Sequence, residues 1–132
     1  MRLSYILLLL VGFVVMAEAH PHVFADVSIK AVFSQDAFTG VQNRWTFDEV
    51  YSAAMFASAD ENGDGKITGN EIDEVKRLVL DPLQQSGYFN YVTVESKFAP
   101  AQKIEGFSVA MTNGKLVLDF KVAYSIPATS EY

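Results

Sequence analysis

Twelve consecutive residues near the middle of the chain, 60–71, match the calcium-binding loop of an EF-hand at all of its fixed positions. Positions one, three, five and twelve of such a loop supply side-chain oxygens, and here they are filled by Asp60, Asn62, Asp64 and Glu71. Gly65 stands at position six, where the backbone turns sharply and a β-carbon is costly. The spacing predicts a helix–loop–helix that holds a divalent cation.

The remaining positions of the loop also suit a hard cation that prefers oxygen. Lys66 at position seven would offer its backbone carbonyl, and Thr68 at position nine would bind directly or through a water molecule. The competing interpretation is an acidic, Gly-rich surface turn with no ligand. The apolar Ile67 at position eight and the apolar helical patterns on both sides favour the calcium site.

The amino terminus has the pattern of an export signal rather than of a folded element. Arg2 gives a positive start, residues 3–16 are mostly apolar, and Ala17 and Ala19 supply the small residues of a cleavage site. A membrane-spanning helix needs about 20 apolar residues, so an uncleaved anchor is the weaker alternative. We expect residues 1–19 to be a signal peptide cleaved after Ala19, and the protein to be periplasmic or secreted.

Residues 20–132 have the length of a single domain with a modest core. The formal net charge of −6 argues against nucleic acid or an anionic membrane as partner and favours cations. The chain has no cysteine, which excludes disulfides and thiolate metal sites. No Ser–His–Asp set, Cys–His set or phosphate-binding loop is evident, so we do not expect an enzyme.

Periodicity predicts the elements around the loop. Residues 23–33 alternate, which predicts a strand with one buried apolar face, and residues 41–45 predict a returning strand. Thr46 and Glu49 have the spacing of a capping box at the start of a helix over 47–59. A second helix is expected over 70–80, where apolar residues follow the helical period.

The last part of the chain is strand-like. Residues 91–95 alternate, residues 98–103 predict a loop, and the strands 107–112 and 115–124 flank the turn dipeptide Asn113-Gly114. The fold class that these elements predict is α+β: an antiparallel β-sheet with an inserted EF-hand helix–loop–helix.

Three segments together resemble one family of exported bacterial proteins, a domain of unknown function of the DUF1007 type. They are the start at His20-Pro21-His22-Val23, the segment Arg44-Trp45-Thr46-Phe47-Asp48-Glu49, and the acidic loop. The resemblance implies a periplasmic component of an uncharacterised metal-transport system, associated with a nickel or cobalt permease of the membrane. Members of the family are longer, with further strands past the position of Tyr132, which implies that this chain is truncated.

The two histidines of the chain lie at the expected new amino terminus. In an extended segment His20, His22 and Asp26 would share one face, and such a set could bind Ni²⁺, Co²⁺, Cu²⁺ or Zn²⁺. Pro21 lacks the amide proton that an amino-terminal copper or nickel site with histidine third requires, so we discard that geometry. The alternative is that both histidines are exposed and bind nothing.

Two functional hypotheses follow from these features. The first is a calcium-binding periplasmic protein that is an accessory to transition-metal transport. The second is a calcium-stabilised structural or interaction module of the cell envelope with no transition-metal site.

Overall fold

The computed structural model describes residues 23–128 and has an α+β architecture. Four strands form one antiparallel sheet with the order β1-β2-β6-β5, and two short strands form a separate hairpin, β3–β4. The strands are β1 (Ala25–Phe33), β2 (Ala37–Phe47), β3 (Val92–Val94), β4 (Lys97–Ala99), β5 (Ile104–Thr112) and β6 (Lys115–Pro127). The predicted α+β class and the antiparallel sheet are confirmed, whereas the EF-hand stays a prediction.

The sheet consists of two hairpins joined along β2 and β6. Trp45 of β2 lies opposite Leu118 of β6, so the two central strands come from distant parts of the sequence. The β5–β6 turn is the predicted Asn113-Gly114, whose φ angles of 52° and 75° suit the left-handed turn that a tight hairpin requires. Residues 98–103 were expected to be a loop, but β4 occupies their first two positions and pairs with β3.

In the sequence, the helices lie between the two hairpins that form the sheet. They are α1 (Glu49–Ala59) and α2 (Asn70–Val79), followed by a kinked 3₁₀ segment, Asp81–Phe89. Helix α2 begins where the sequence predicts and ends one residue earlier. The ten residues between α1 and α2 form the loop described below.

The capping box predicted at Thr46 and Glu49 is wrong. Thr46 still belongs to β2, and α1 is capped by Asp48, whose Oδ1 accepts from the Tyr51 N–H at 2.8 Å. The other oxygen of Asp48 accepts from the Phe24 N–H at 2.9 Å. Strand pairing extends the chain past Thr46, so the next residue with a capping side chain begins the helix.

One face of the sheet carries the core. Alternate residues of β6 are fully buried beneath the helices: Leu116, Leu118, Phe120 and Val122. Ser52 of α1 fixes the helix layer to this strand, because its Oγ accepts from the Leu116 N–H at 2.7 Å. The opposite face is polar and includes the exposed ion pair between Arg44 and Asp119, with Nε and Oδ1 at 2.8 Å.

Strand β1 is present where the sequence predicts it, but the expected burial of its apolar face is wrong. Val27 is 57% exposed and Ile29 is 64% exposed. Both lie on the core side of the sheet, opposite Trp45 and Asn43 of β2. Helices α1 and α2 pack on this same face, but over β6 and β5, towards the edge of the sheet opposite β1. We call the residues Val23, Ala25, Val27 and Ile29 the β1 strip.

Candidate metal centre

The loop between α1 and α2 brings three carboxylates to one place. One oxygen each of Asp60, Asp64 and Glu71 lies within 4.8 Å of the other two. Three negative charges at this separation repel one another, and the repulsion grows where water is excluded. A cation placed between them would remove this cost.

Glu71, at position twelve, joins the two ends of the loop. Its Oε2 accepts from the Glu61 N–H at 2.7 Å, and its Oε1 accepts from the Thr68 N–H at 3.2 Å. The residue is only 6% exposed, although it is a carboxylate in the first turn of a helix. Each oxygen keeps further lone-pair capacity beyond the one hydrogen bond, so both could still approach a cation.

Backbone amides also fix the other side-chain oxygens of the loop. The Gly65 N–H donates to Asp60 Oδ2 at 3.0 Å, and the Lys66 N–H donates to Asp64 Oδ1 at 2.9 Å. The Asp64 N–H donates to Asn62 Oδ1 at 3.1 Å. Gly65 has a φ of +78°, the left-handed conformation that the pattern requires at position six. The chain therefore turns around its own side-chain oxygens.

The second carboxylate oxygen of Asp60, Oδ1, is buried and accepts no hydrogen bond. Among the buried side-chain nitrogen and oxygen atoms of residues 23–128, it alone lacks a partner. A buried acceptor without a partner costs about 1–3 kcal/mol, and more when it is charged. Oxygen ligands at this density are the donors that Ca²⁺ prefers, so the residues present fit such an ion.

The core holds the loop from both sides. Ala59 before it and Val75 after it are fully buried, and Ile67 at position eight packs against the core cluster. A cavity of about 190 Å³ separates this part of the loop from β5, with Phe56, Ile67 and Met111 among its lining residues. The loop is thus positioned by apolar contacts that do not involve its carboxylates.

The structure adds less about the other predicted ligands. Lys66 and Thr68 are exposed, and both take part in the loop through their backbone N–H groups. Asp26 is exposed on β1, at the opposite edge of the sheet from β5. His20 and His22 lie outside the described residues, so the histidine cluster stays a prediction.

Beside the β1 strip runs a groove of about 690 Å³ that sequence reasoning did not anticipate. The β1 strip and Trp45 line one part of it, and Phe89 and Tyr91 line another. At its floor a buried Asn43 and Asn90 exchange amide hydrogen bonds of 3.1 and 3.2 Å. The two asparagines are far apart in the sequence, and no local pattern connects them.

No helix within residues 23–128 is long and apolar enough to cross a membrane. No solved structure matches this chain. An uncharacterised protein of Haemophilus influenzae is 27% identical over 127 residues, a match that covers 92% of this chain and 58% of the relative. This chain therefore spans little more than half of that relative's length.

The sequence profile of a family described as a protein of unknown function, DUF1007, matches residues 5–132. The match includes the acidic loop, the strands of the sheet and both helices. The chain belongs to the DUF1007 family.

Proposed function

We propose that this protein is an exported calcium-binding protein in which residues 60–71 form an EF-hand loop around one Ca²⁺ ion. The buried Oδ1 of Asp60 is the main support, because a carboxylate oxygen without a partner stands beside two further carboxylates. Asp60, Asp64 and Glu71 would supply charged oxygens, and Asn62 an amide oxygen. The carbonyl of Lys66 and the hydroxyl of Thr68 would complete the set.

The alternative of a ligand-free acidic turn explains part of the same geometry. Hydrogen bonds from Asp64 N–H to Asn62 and from Lys66 N–H to Asp64 are typical of turns that need no metal. Such a turn does not explain why Glu71 is buried or why Asp60 Oδ1 lacks a donor. A cation accounts for both.

Calcium titration by calorimetry, with thermal unfolding in parallel, tests the proposal. Loops outside the cytosol bind Ca²⁺ with a dissociation constant of about 10⁻⁴–10⁻³ M. Ca²⁺ at about 100 times that constant would stabilise the folded state by about 2.7 kcal/mol. The absence of both binding heat and a rise in melting temperature in about 10–100 mM CaCl₂, which is about 100 times that constant, would refute the calcium site.

A matched pair of variants locates the site. Glu71→Gln removes one charge and one oxygen donor, and we expect it to weaken calcium binding at least about tenfold while the sheet stays folded. Glu61→Gln makes the same chemical change at the exposed position two of the loop and should bind calcium almost as the unmodified chain does. Equal losses in the two variants would mean that general acidity, rather than ligation, attracts the ion.

We further propose an accessory function in transition-metal transport, on the basis of the family resemblance. His20, His22 and Asp26 would bind Ni²⁺, Co²⁺, Cu²⁺ or Zn²⁺, and a membrane permease would be the partner. Titration with these four ions should show binding that a His20→Ala/His22→Ala variant loses. Unchanged binding in that variant would remove the histidines from the proposal without affecting the calcium site.

The second candidate function is a calcium-stabilised interaction module of the cell envelope without transition-metal chemistry. The exposed β1 strip favours it, because contiguous apolar surface is typical of protein–protein contacts. Calcium would then stabilise the helices against the sheet while another surface makes the contact.

A further inference from the structure

Strand β1 has an open edge as well as an exposed apolar face. Within residues 23–128, β1 pairs with β2 on one side and with no strand on the other. A nine-residue edge strand presents a row of unpaired backbone groups, and these groups favour pairing with a further strand. Natural edges are usually protected by charges or bulges, yet β1 is regular up to Val32 and carries only two charged residues.

The order of residues along β1 is self-complementary. In an antiparallel pair of identical strands centred on Ser28, Asp26 lies opposite Lys30 of the second copy, and Lys30 lies opposite its Asp26. Val27 lies opposite Ile29 in the same arrangement. Every charge of the strand thus meets its opposite, and every apolar side chain of the core-facing side meets an apolar one.

The direction of the backbone groups agrees with this register. The Phe24 N–H donates to Asp48 at 2.9 Å, and the Phe24 carbonyl accepts from the Asp48 N–H at 2.9 Å, so the backbone of Phe24 faces β2. Backbone direction alternates along an antiparallel strand. The N–H and C=O groups of Val27 and Ile29 therefore point to the open edge, where each could bond its counterpart in a second copy.

The two charges of β1 are available for such a contact. Within residues 23–128, neither Asp26 nor Lys30 takes part in an ion pair. Both are exposed on the polar face of the sheet. A two-fold pairing would supply a partner for each of them at once.

We propose that β1 is an interface with a second copy of this chain, paired antiparallel about Ser28 to give one continuous eight-stranded sheet. The contact is isologous, because the same strand serves on both sides. The two β1 strips then form one continuous apolar surface, with Phe89 and Tyr91 of each copy on either side of it. Small molecules and lipids could cover the strip, but only a polypeptide strand satisfies the backbone edge as well.

Charge reversal with mixing tests the register directly. Asp26→Lys places lysines opposite each other in both pairs, and Lys30→Asp places aspartates opposite each other. By sedimentation equilibrium we expect the unmodified chain to dimerise, and each variant to do so about tenfold more weakly or worse. An equimolar mixture of the two variants should regain the mass of the dimer, because a heterodimer restores both ion pairs.

Asp73→Lys, at an exposed site on α2, is the control and should dimerise as the unmodified chain does. Misfolding of the variants cannot imitate the expected result, since misfolded chains would not recover on mixing. An unmodified chain that stays monomeric at high micromolar concentration overturns the proposal and leaves the strip to another occupant. Dimers that survive both reversals, or mixtures that do not recover, also overturn it.

Discussion

On one face of the four-stranded sheet, the side chains of β6 are buried whereas those of β1 are exposed to solvent. Leu118 of β6 and Ile29 of β1 both point to the side on which the helices lie. Leu118 is fully buried, whereas Ile29 is 64% exposed. Both strands place apolar residues on this face, so the difference in burial comes from the layer above them. Burial of a strand is a property of what covers it, which the strand's own sequence does not encode.

The largest expected effect is a difference in the loss of stability between two alanine substitutions, one in each region. Leu118→Ala should lower the free energy of unfolding by about 2–5 kcal/mol, because it leaves a cavity beneath the helices. Ile29→Ala should lower it by less than about 1 kcal/mol. Urea unfolding at low micromolar protein and constant calcium measures both. Similar losses would show that the β1 strip is covered in solution even in the monomer.

A smaller effect concerns the contact that joins the exposed strand to the helix layer. Asp48 accepts hydrogen bonds from the backbones of Tyr51 and Phe24, and these bonds lower the pKa of its carboxyl below the ordinary value. A lowered pKa in the folded state stabilises the protein above the unfolded value, near pH 4. That contribution is lost as the pH falls through the folded value.

Asp48→Asn isolates this contribution, because asparagine still caps a helix but does not titrate. We expect a lower melting temperature than that of the unmodified chain at pH 7, with the difference narrowing below about pH 4. If the difference in melting temperature between Asp48→Asn and the unmodified chain were the same at all pH values, Asp48 would contribute only as a helix cap.

Local patterns predicted the helix–loop–helix and the Asn113-Gly114 hairpin well, for a physical reason. Both are set by backbone requirements within a few residues, such as the positive φ of Gly65 and of Gly114. The convergence of Asp60, Asp64 and Glu71 follows from the same short spacing. The identity of an ion does not follow from it, and calcium stays a proposal.

The wrong predictions, and the features that the sequence did not predict, concern competition between neighbours or contacts between residues far apart in the sequence. Thr46 and Asp48 both have capping side chains, and the pairing of Thr46 with Val117 decided between them. The Asn43–Asn90 pair forms only when the end of the 3₁₀ segment packs beside β2. Neither outcome can be read from residues close in sequence.

The strand order β1-β2-β6-β5 has a consequence for the time course of folding. β2 can pair with β1 as soon as the turn after Phe33 closes, whereas its other neighbour, β6, arrives only after both helices and another hairpin. Contacts between such distant segments form late, because closing a long loop costs chain entropy. Until then β1 occupies one edge of β2, and the other edge is open to incorrect strands. We therefore expect early mispairing of β2 to occur at the edge that β6 finally occupies.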